Sequence, residues 1–176
     1  MKSDVISIDN QGNGLDAAKK ETERVAEYQG LDTKQTLHLQ LCAEEMLCLA
    51  RSVTGEMKAE FWIECEDKHF DLHMTTKTVL DKAKRETLIA ASTSRKNEAT
   101  GTFLGRLRNA FEEAMLDETD TYTYIPNEAM ADMANRMIDD TDWDQYEQSV
   151  LRKVADQIKI SVVGRKVDMT IVKNYD

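Results

Sequence analysis

The chain predicts an α+β fold, a two-layer α/β sandwich with helices on one face of a mixed, mainly antiparallel sheet. Three patterns in the sequence carry this. Ala59, Phe61, Ile63 and Cys65 alternate with Lys58, Glu60, Trp62, Glu64 and Glu66. After Asp67-Lys68, Phe70, Leu72 and Met74 alternate with Asp71, His73 and Thr75, giving a hairpin with one buried and one wet face. Leu15–Tyr28 and Leu37–Val53 carry apolar residues at helical spacing. The chain closes on Ile158, Ile160 and Val162, a turn at Gly164-Arg165, then Val167, Met169 and Ile171, a second hairpin.

The other elements follow in chain order. Val5–Ile8 reads as a short first strand, ended by the turn-rich Asp9-Asn10-Gln11-Gly12-Asn13-Gly14. Gly30 stops the first helix, and Asp32 or Thr33 caps the next, which ends near Gly55. Thr76–Thr100 is polar and weakly helical, with Lys82, Lys84, Arg85, Arg95 and Lys96 as its basic content. Thr102–Leu116 reads as an amphipathic helix presenting Phe103, Leu104, Leu107, Phe111, Ala114 and Met115. Tyr122–Ile125 is a short extended piece before Pro126, and Asn127 caps a helix carrying Met130, Met133 and Met137. Trp143–Ala155 is a further helix, with Tyr146, Val150, Leu151 and Val154 inward. No repeat or linker divides the chain, so residues 1–176 form one expected domain.

Composition narrows the function classes. One Pro and seven Gly in 176 residues argue against a low-complexity chain. No apolar run approaches the roughly 18 residues of a membrane span. The charged start MKSDVISIDN lacks the apolar core of a signal peptide, so a cytoplasmic protein is expected. Cys42, Cys48 and Cys65 lie in apolar-patterned segments without metal-ligand spacing and read as buried free thiols. The net charge of −10 excludes a basic nucleic-acid footprint. Glu112 to Glu147 holds twelve carboxylates opposed only by Arg136, so this segment accounts for the whole net charge.

The helix LHLQLCAEEMLCLARSV sets Glu44 and Glu45 among apolar residues, which is costly unless they lie at a helix edge or serve a ligand. Ala43-Glu44-Glu45-Met46-Leu47-Cys48-Leu49-Ala50, the hairpin after it and the ending LRKVADQIKISVVGRKVDMTIVK resemble the GHKL (histidine-kinase-like) ATPase fold, nearest to the anti-sigma-factor serine kinases. The resemblance covers Val5–Thr75 and Trp143–Lys173 and implies a Bergerat-type sandwich, with about 76–142 a larger, helical, acidic replacement of the nucleotide lid. It implies that Glu45 stands where the family's catalytic Glu does. Leu49 stands at the family's Mg²⁺-ligating Asn, and an alkyl group ligates no metal. The family's Asp-x-Gly-x-Gly adenine motif falls at Thr75-Thr76-Lys77-Thr78-Val79-Leu80, with no glycine between Gly55 and Gly101 and Asp81 out of register. The phosphate turn has two placements. One is Gly101-Thr102-Phe103-Leu104-Gly105, which requires an insertion after it. The other is Tyr146-Glu147-Gln148-Ser149, which has no glycine.

With these motifs degraded, the resemblance implies a non-catalytic pseudo-ATPase, a regulatory protein-binding module like an anti-sigma factor, with no cofactor and no metal. Its partner would be a sigma-factor-like or other basic regulatory protein, with the acidic helices as docking surface; a homodimer is compatible with the sequence, and no nucleic acid or membrane is expected. The alternative is an ATP/Mg-dependent protein serine kinase with Glu45, aided by Glu44, as base and Thr76, Gly101, Thr102 and Gly105 at the nucleotide. Each feature also has a plainer reading. Glu44 and Glu45 can be a solvated helix edge, the acidic run a solvated face, and the methionines core. His69 and His73 share a wet strand face with Asp71 but lack a third metal ligand. Ser52, Ser92 and Ser94 lack a nucleophile context.

Overall fold

The computed structural model describes residues 1–9, 11–54, 58–102, 105–110, 112 and 151–176. The expectations for Tyr122–Ile125, the Met130–Met137 helix, the Tyr146–Ser149 turn and the acidic run beyond Glu112 lie outside the described residues. The strands are β1 (Ile6–Ile8), β2 (Ala59–Glu66), β3 (His69–Lys77), β4 (Gln157–Val163) and β5 (Lys166–Asn174). The helices are α1 (Leu15–Tyr28), α2 (Thr33–Thr54) and α3 (Lys82–Ala91), followed by a 3₁₀ turn at Glu98–Gly101. Residues 105–110 and 151–154 are also helical.

The five strands form one sheet in the order β1-β2-β3-β5-β4. Every strand pairing among the described residues is antiparallel, where a mixed sheet was expected. The cause is the α1–α2 hairpin. Two helices carry the chain down and back up the sheet, so β2 starts at the end where β1 stops and must run the other way. Between β2 and β3, Asp67 and Lys68 take φ of 44° and 62°, the left-handed pair of a tight hairpin turn.

The alternation read from the sequence is the alternation of burial. Phe61, Ile63, Phe70, Leu72, Met74, Ile160, Met169 and Ile171 are all buried on the helical side. There α1 lies against β1 and β2, α2 against β5, and α3 against β4 and α2. Gly14 caps α1 at φ 91°, and a Cβ there would sit 2.1 Å from the Ser7 carbonyl oxygen. Glycine is what lets the loop after β1 turn this closely into the helix. At the other end of the sheet Tyr175 packs edge-on to Phe70, and its hydroxyl donates to the Gln35 carbonyl at 2.9 Å.

Of the apolar face expected for Thr102–Leu116, only Leu107 lies among the described residues, and it turns outward; Phe103, Leu104, Phe111, Ala114 and Met115 lie outside them. Leu107 is 60% exposed. Instead Gly105, Asn109 and Glu112, spaced at one helical turn, meet the sheet and the 3₁₀ turn. A Cβ on Gly105 would lie 2.0 Å from the Ala99 carbonyl oxygen, so the contact is backbone to backbone. Asn109 accepts from Arg85 Nη2 at 2.6 Å and from Asn97 Nδ2 at 2.9 Å. This packing is polar, and an amphipathicity count cannot find it.

Candidate functional site

The helix α2 sorts its residues by face. Leu39, Cys42, Ala43, Met46, Leu47, Leu49 and Ala50 are buried, while Leu37, Glu44, Cys48, Arg51 and Ser52 form the exposed stripe. Glu44 lies on that stripe with Lys19 Nζ at 2.9 Å, a solvated ion pair joining α1 to α2. The Lys19 ammonium is held above its usual range by this bond to Glu44. Glu45 lies between the two faces and is half-buried. Leu49, one turn on, is 1% exposed and belongs wholly to the core.

The cysteines divide accordingly. Burial pushes the Cys42 thiol up to about 12 and raises Cys65 as well, so both are inert thiols. Cys48 is exposed, correcting the expectation that all three are buried. Its position one turn after Glu44 places it on the solvent stripe.

Thr76 is buried on the inner face of β3, and its hydroxyl donates to the Lys58 carbonyl at 3.0 Å. It belongs to one row across the sheet: Ala59 opposite Thr76, Thr76 opposite Val167, Val167 opposite Val162. At the far edge of that row Asn97 takes over. Its carboxamide donates to the Val162 carbonyl at 2.8 Å and accepts from the Val162 N–H at 2.9 Å. Gly101 and Thr102 follow directly. Thr102 Oγ1 accepts from the Gly105 N–H at 3.0 Å, so that donor is used within the turn. Thr76 and the Gly101–Gly105 stretch therefore lie at the same end of the sheet, about 10 Å or more apart because β5 and β4 intervene. Glu45 is on the middle turns of α2, and Phe103 and Leu104 lie outside the described residues.

Beside Thr102, a polar network centred on Glu112 ties this helical stretch to the β4–β5 turn. Glu112 accepts from the Gly164 N–H at 3.1 Å and from Arg108 Nε at 2.9 Å, with Arg85 Nη2 at 3.5 Å. Burial raises the Glu112 carboxyl, but Gly164, Arg108 and Arg85 outweigh it and hold it below the usual carboxylate range. Glu112, the first residue of the acidic run, thus braces this helical stretch against Gly164 and Arg85.

On the open face of the sheet Trp62 stacks on His73 with ring centroids 5.0 Å apart and planes at 17°. Lys2 Nζ lies 5.0 Å over the Trp62 ring, and the indole N–H donates to Glu64 at 3.1 Å. His73 Nδ1 bonds Thr170 Oγ1 at 3.0 Å. Burial pulls His73 below the usual histidine range, against the opposite pull of Glu64 and Asp71. His73 is thus half-buried by the stack, while His69 is exposed as expected. Among the described residues no group of three or more His, Cys, Asp or Glu side chains is arranged to hold a metal ion.

A cleft of about 650 Å³ opens at the Thr76 end of the sheet, lined by Ser7, Ile8, Asp9, Lys58, Ala59, Glu60, Thr75, Thr76, Lys77 and Lys166. Glu45 is not among its lining residues. The grouping of Lys58, Lys77 and Lys166 was not visible in the sequence, since it needs the strand order. The signal for Lys58 alone was there, in its place on the wet face of the first hairpin.

Neither a protein-family model, nor a curated protein, nor a solved structure matches the chain. Function therefore rests on the residues. Among the described residues, no helix is long and apolar enough to cross a membrane.

Proposed function

We propose that the protein is a non-catalytic regulatory module that binds a protein partner, built on a GHKL-like sandwich whose nucleotide pocket is lost. The element order β-α-α-β-β before the 76–142 region and the closing β4–β5 hairpin support the resemblance. Leu49 carries the reading. At the position where the family holds a metal-ligating Asn, this chain has a leucine 1% exposed in its core. A Mg²⁺ ion needs hard oxygen donors and open coordination positions, and a buried alkyl group supplies neither. Thr76, at the adenine-reading position, spends its hydroxyl on the Lys58 carbonyl.

The mechanism is sequestration without phosphoryl transfer. The partner is a basic regulatory protein of the sigma-factor kind, attracted by the strongly negative chain. Leu49 separates a packing role from a vestigial site. Leu49→Ala should cost about 2–5 kcal/mol in urea unfolding, and Leu49→Asn should destabilise without creating Mg²⁺-dependent nucleotide binding. A Leu49→Asn variant that folds normally and gains Mg²⁺-dependent ATP binding would show an intact pocket and overturn the reading.

A further inference from the structure

We propose that the open face of the sheet is a self-association surface, on which a second copy of the chain docks face to face about a two-fold axis running across the strands. The described helices pack on the inner face, so the outer face has no covering layer among the described residues. One wet face is ordinary for an antiparallel sheet. Two features set this one apart. Its charge is balanced in a strongly negative chain, and its charges fall in bands that become complementary after a two-fold rotation.

The bands follow from strand register. Lys77 stands opposite Lys166, and Lys58 precedes the Ala59–Thr76 pair, so these lysines share the row at the Thr76 end. The next row holds Glu60 and Asp168, flanking Thr75. Then come the Trp62–His73 stack and Lys159, and after them Glu64 opposite Asp71. Glu66 and His69 close the hairpin end. With Lys2, whose ammonium lies over Trp62, the face carries as many lysines as carboxylates. Adjacent bands answer one another within a copy: Lys166 lies 2.8 Å from Asp168, and Lys2 3.0 Å from Glu64. Asp9, at the rim with Lys58, is committed to its own loop. Two chains of net charge −10 repel one another, and a balanced face is where they can approach.

An axis midway between the Glu60 row and the Trp62 row lays each strand over its own copy, run the other way. Lys58 then meets Glu64 of the second copy, Lys77 meets Asp71, and the symmetry repeats each pair. The Glu60 row meets the row of the aromatic stack, where Lys159 comes one strand from Asp168 of the second copy. Half a step either way brings like charges together. An axis through the Trp62 row sets Glu60 over Glu64, and one through the Glu60 row sets Glu60 over itself. Charge therefore selects a single register. Asp71 suits it, since its Oδ1 has no hydrogen-bond partner within the chain and its Oδ2 lies 3.5 Å from His69 Nε2. Packed sheets stand about 10 Å apart, a gap that a lysine and a facing carboxylate span together. The five strands, over about seven residues, give a face of about 600 Å² per copy. The pair buries about 1,200 Å², the lower end of specific interfaces, so the dimer is a weak one.

The test is sedimentation equilibrium of the full chain at low salt, over micromolar concentrations. The expected result is a monomer–dimer equilibrium that weakens as salt rises. Lys77→Glu alone and Asp71→Lys alone should each weaken it about tenfold or more, because each sets like charges in contact. An equimolar mixture of the two variants should regain the wild-type affinity, since each supplies the charge the other lacks. A substitution that only damaged folding cannot be rescued by mixing, and Lys58→Glu with Glu64→Lys repeats the test at the second pair. Lys20→Glu, on the exposed side of α1 and equal in net charge to Lys77→Glu, should leave the dimer unchanged. A monomer throughout at low salt overturns the proposal. So does a dimer that none of the charge reversals on the open face weakens. Loss in the single variants without recovery in either mixture overturns it as well. Glu45 and Leu49 lie on α2, in the layer on the other side of the sheet, so self-association and the proposed pocket loss stand or fall separately.

Discussion

Asn97 completes the sheet for Val162. Its carboxamide supplies one donor and one acceptor to the Val162 backbone at 2.8 and 2.9 Å, as the next strand would. Thr93 does the same for Ile158: its N–H donates to the Ile158 carbonyl, and its hydroxyl accepts from the Ile158 N–H. The loop after α3 thus covers the outer edge of β4, the edge at which an open sheet would pair with another chain.

Asn97→Ala should therefore cost about 3 kcal/mol or more, since it leaves the buried Val162 N–H and carbonyl unsatisfied. Urea unfolding checks the stability. Light scattering checks the second consequence, concentration-dependent association through the uncovered edge. A variant as stable and as monodisperse as wild type would show the edge is protected by something else.

Glu112 should tie stability to acid pH. Its carboxyl is held below the usual range, so its contribution is complete above the unfolded value of about 4.3 and is lost as pH falls through the lower folded value. Glu112→Gln should lower stability by about 1–3 kcal/mol at neutral pH, leaving the buried Arg85 short of its counter-ion. Urea midpoints should converge for the two proteins once pH falls well below about 4.

His73 sets a second window. The fold holds it below its unfolded value of about 6.5, so the native state binds this proton less readily than the unfolded chain. Its stabilisation is full above about pH 6.5 and is lost as pH falls toward the folded value. His73→Gln should flatten that part of the stability profile. NMR titration of the His73 ring should place its midpoint below about 6.5, and a midpoint above that reverses the sign.

Lys68 sits at φ 62° in the β2–β3 turn, where a Cβ is strained. Lys68→Gly should raise stability by about 0.5–1 kcal/mol, offset slightly by the exposed bond from Lys68 Nζ to the Asp176 carbonyl. Thermal melts would detect it.

Much of the fold was legible because burial imposes a period. The first helix runs over Leu15–Tyr28 as its spacing indicates, and both hairpins show the inward residues that alternation assigned. The Gly164-Arg165 turn also lies where expected, between β4 and β5. The antiparallel β1–β2 pairing was implicit in the sequence, since the two helices read between those strands return the chain to the end where β1 stops. The polar packing of Asn109 and Glu112 was hidden: their partners Arg85, Asn97 and Gly164 are remote in sequence, and no local period marks them. At the candidate site the sequence located Glu45, Leu49 and Thr76 but not their surroundings. Glu44 and Cys48 look apolar-flanked in one dimension, yet α2 turns both to solvent. The lysine row became visible only with the register that sets Lys77 against Lys166.

The loss of the nucleotide pocket is tested most directly by calorimetric titration of Mg-ATP into the full chain. The predicted result is no Mg²⁺-dependent binding at millimolar nucleotide and no rise in melting temperature, which even weak binding would produce by mass action. Saturable Mg-ATP binding that Thr76→Val abolishes, with phosphoryl transfer that Glu45→Gln removes, would contradict it and establish a working kinase.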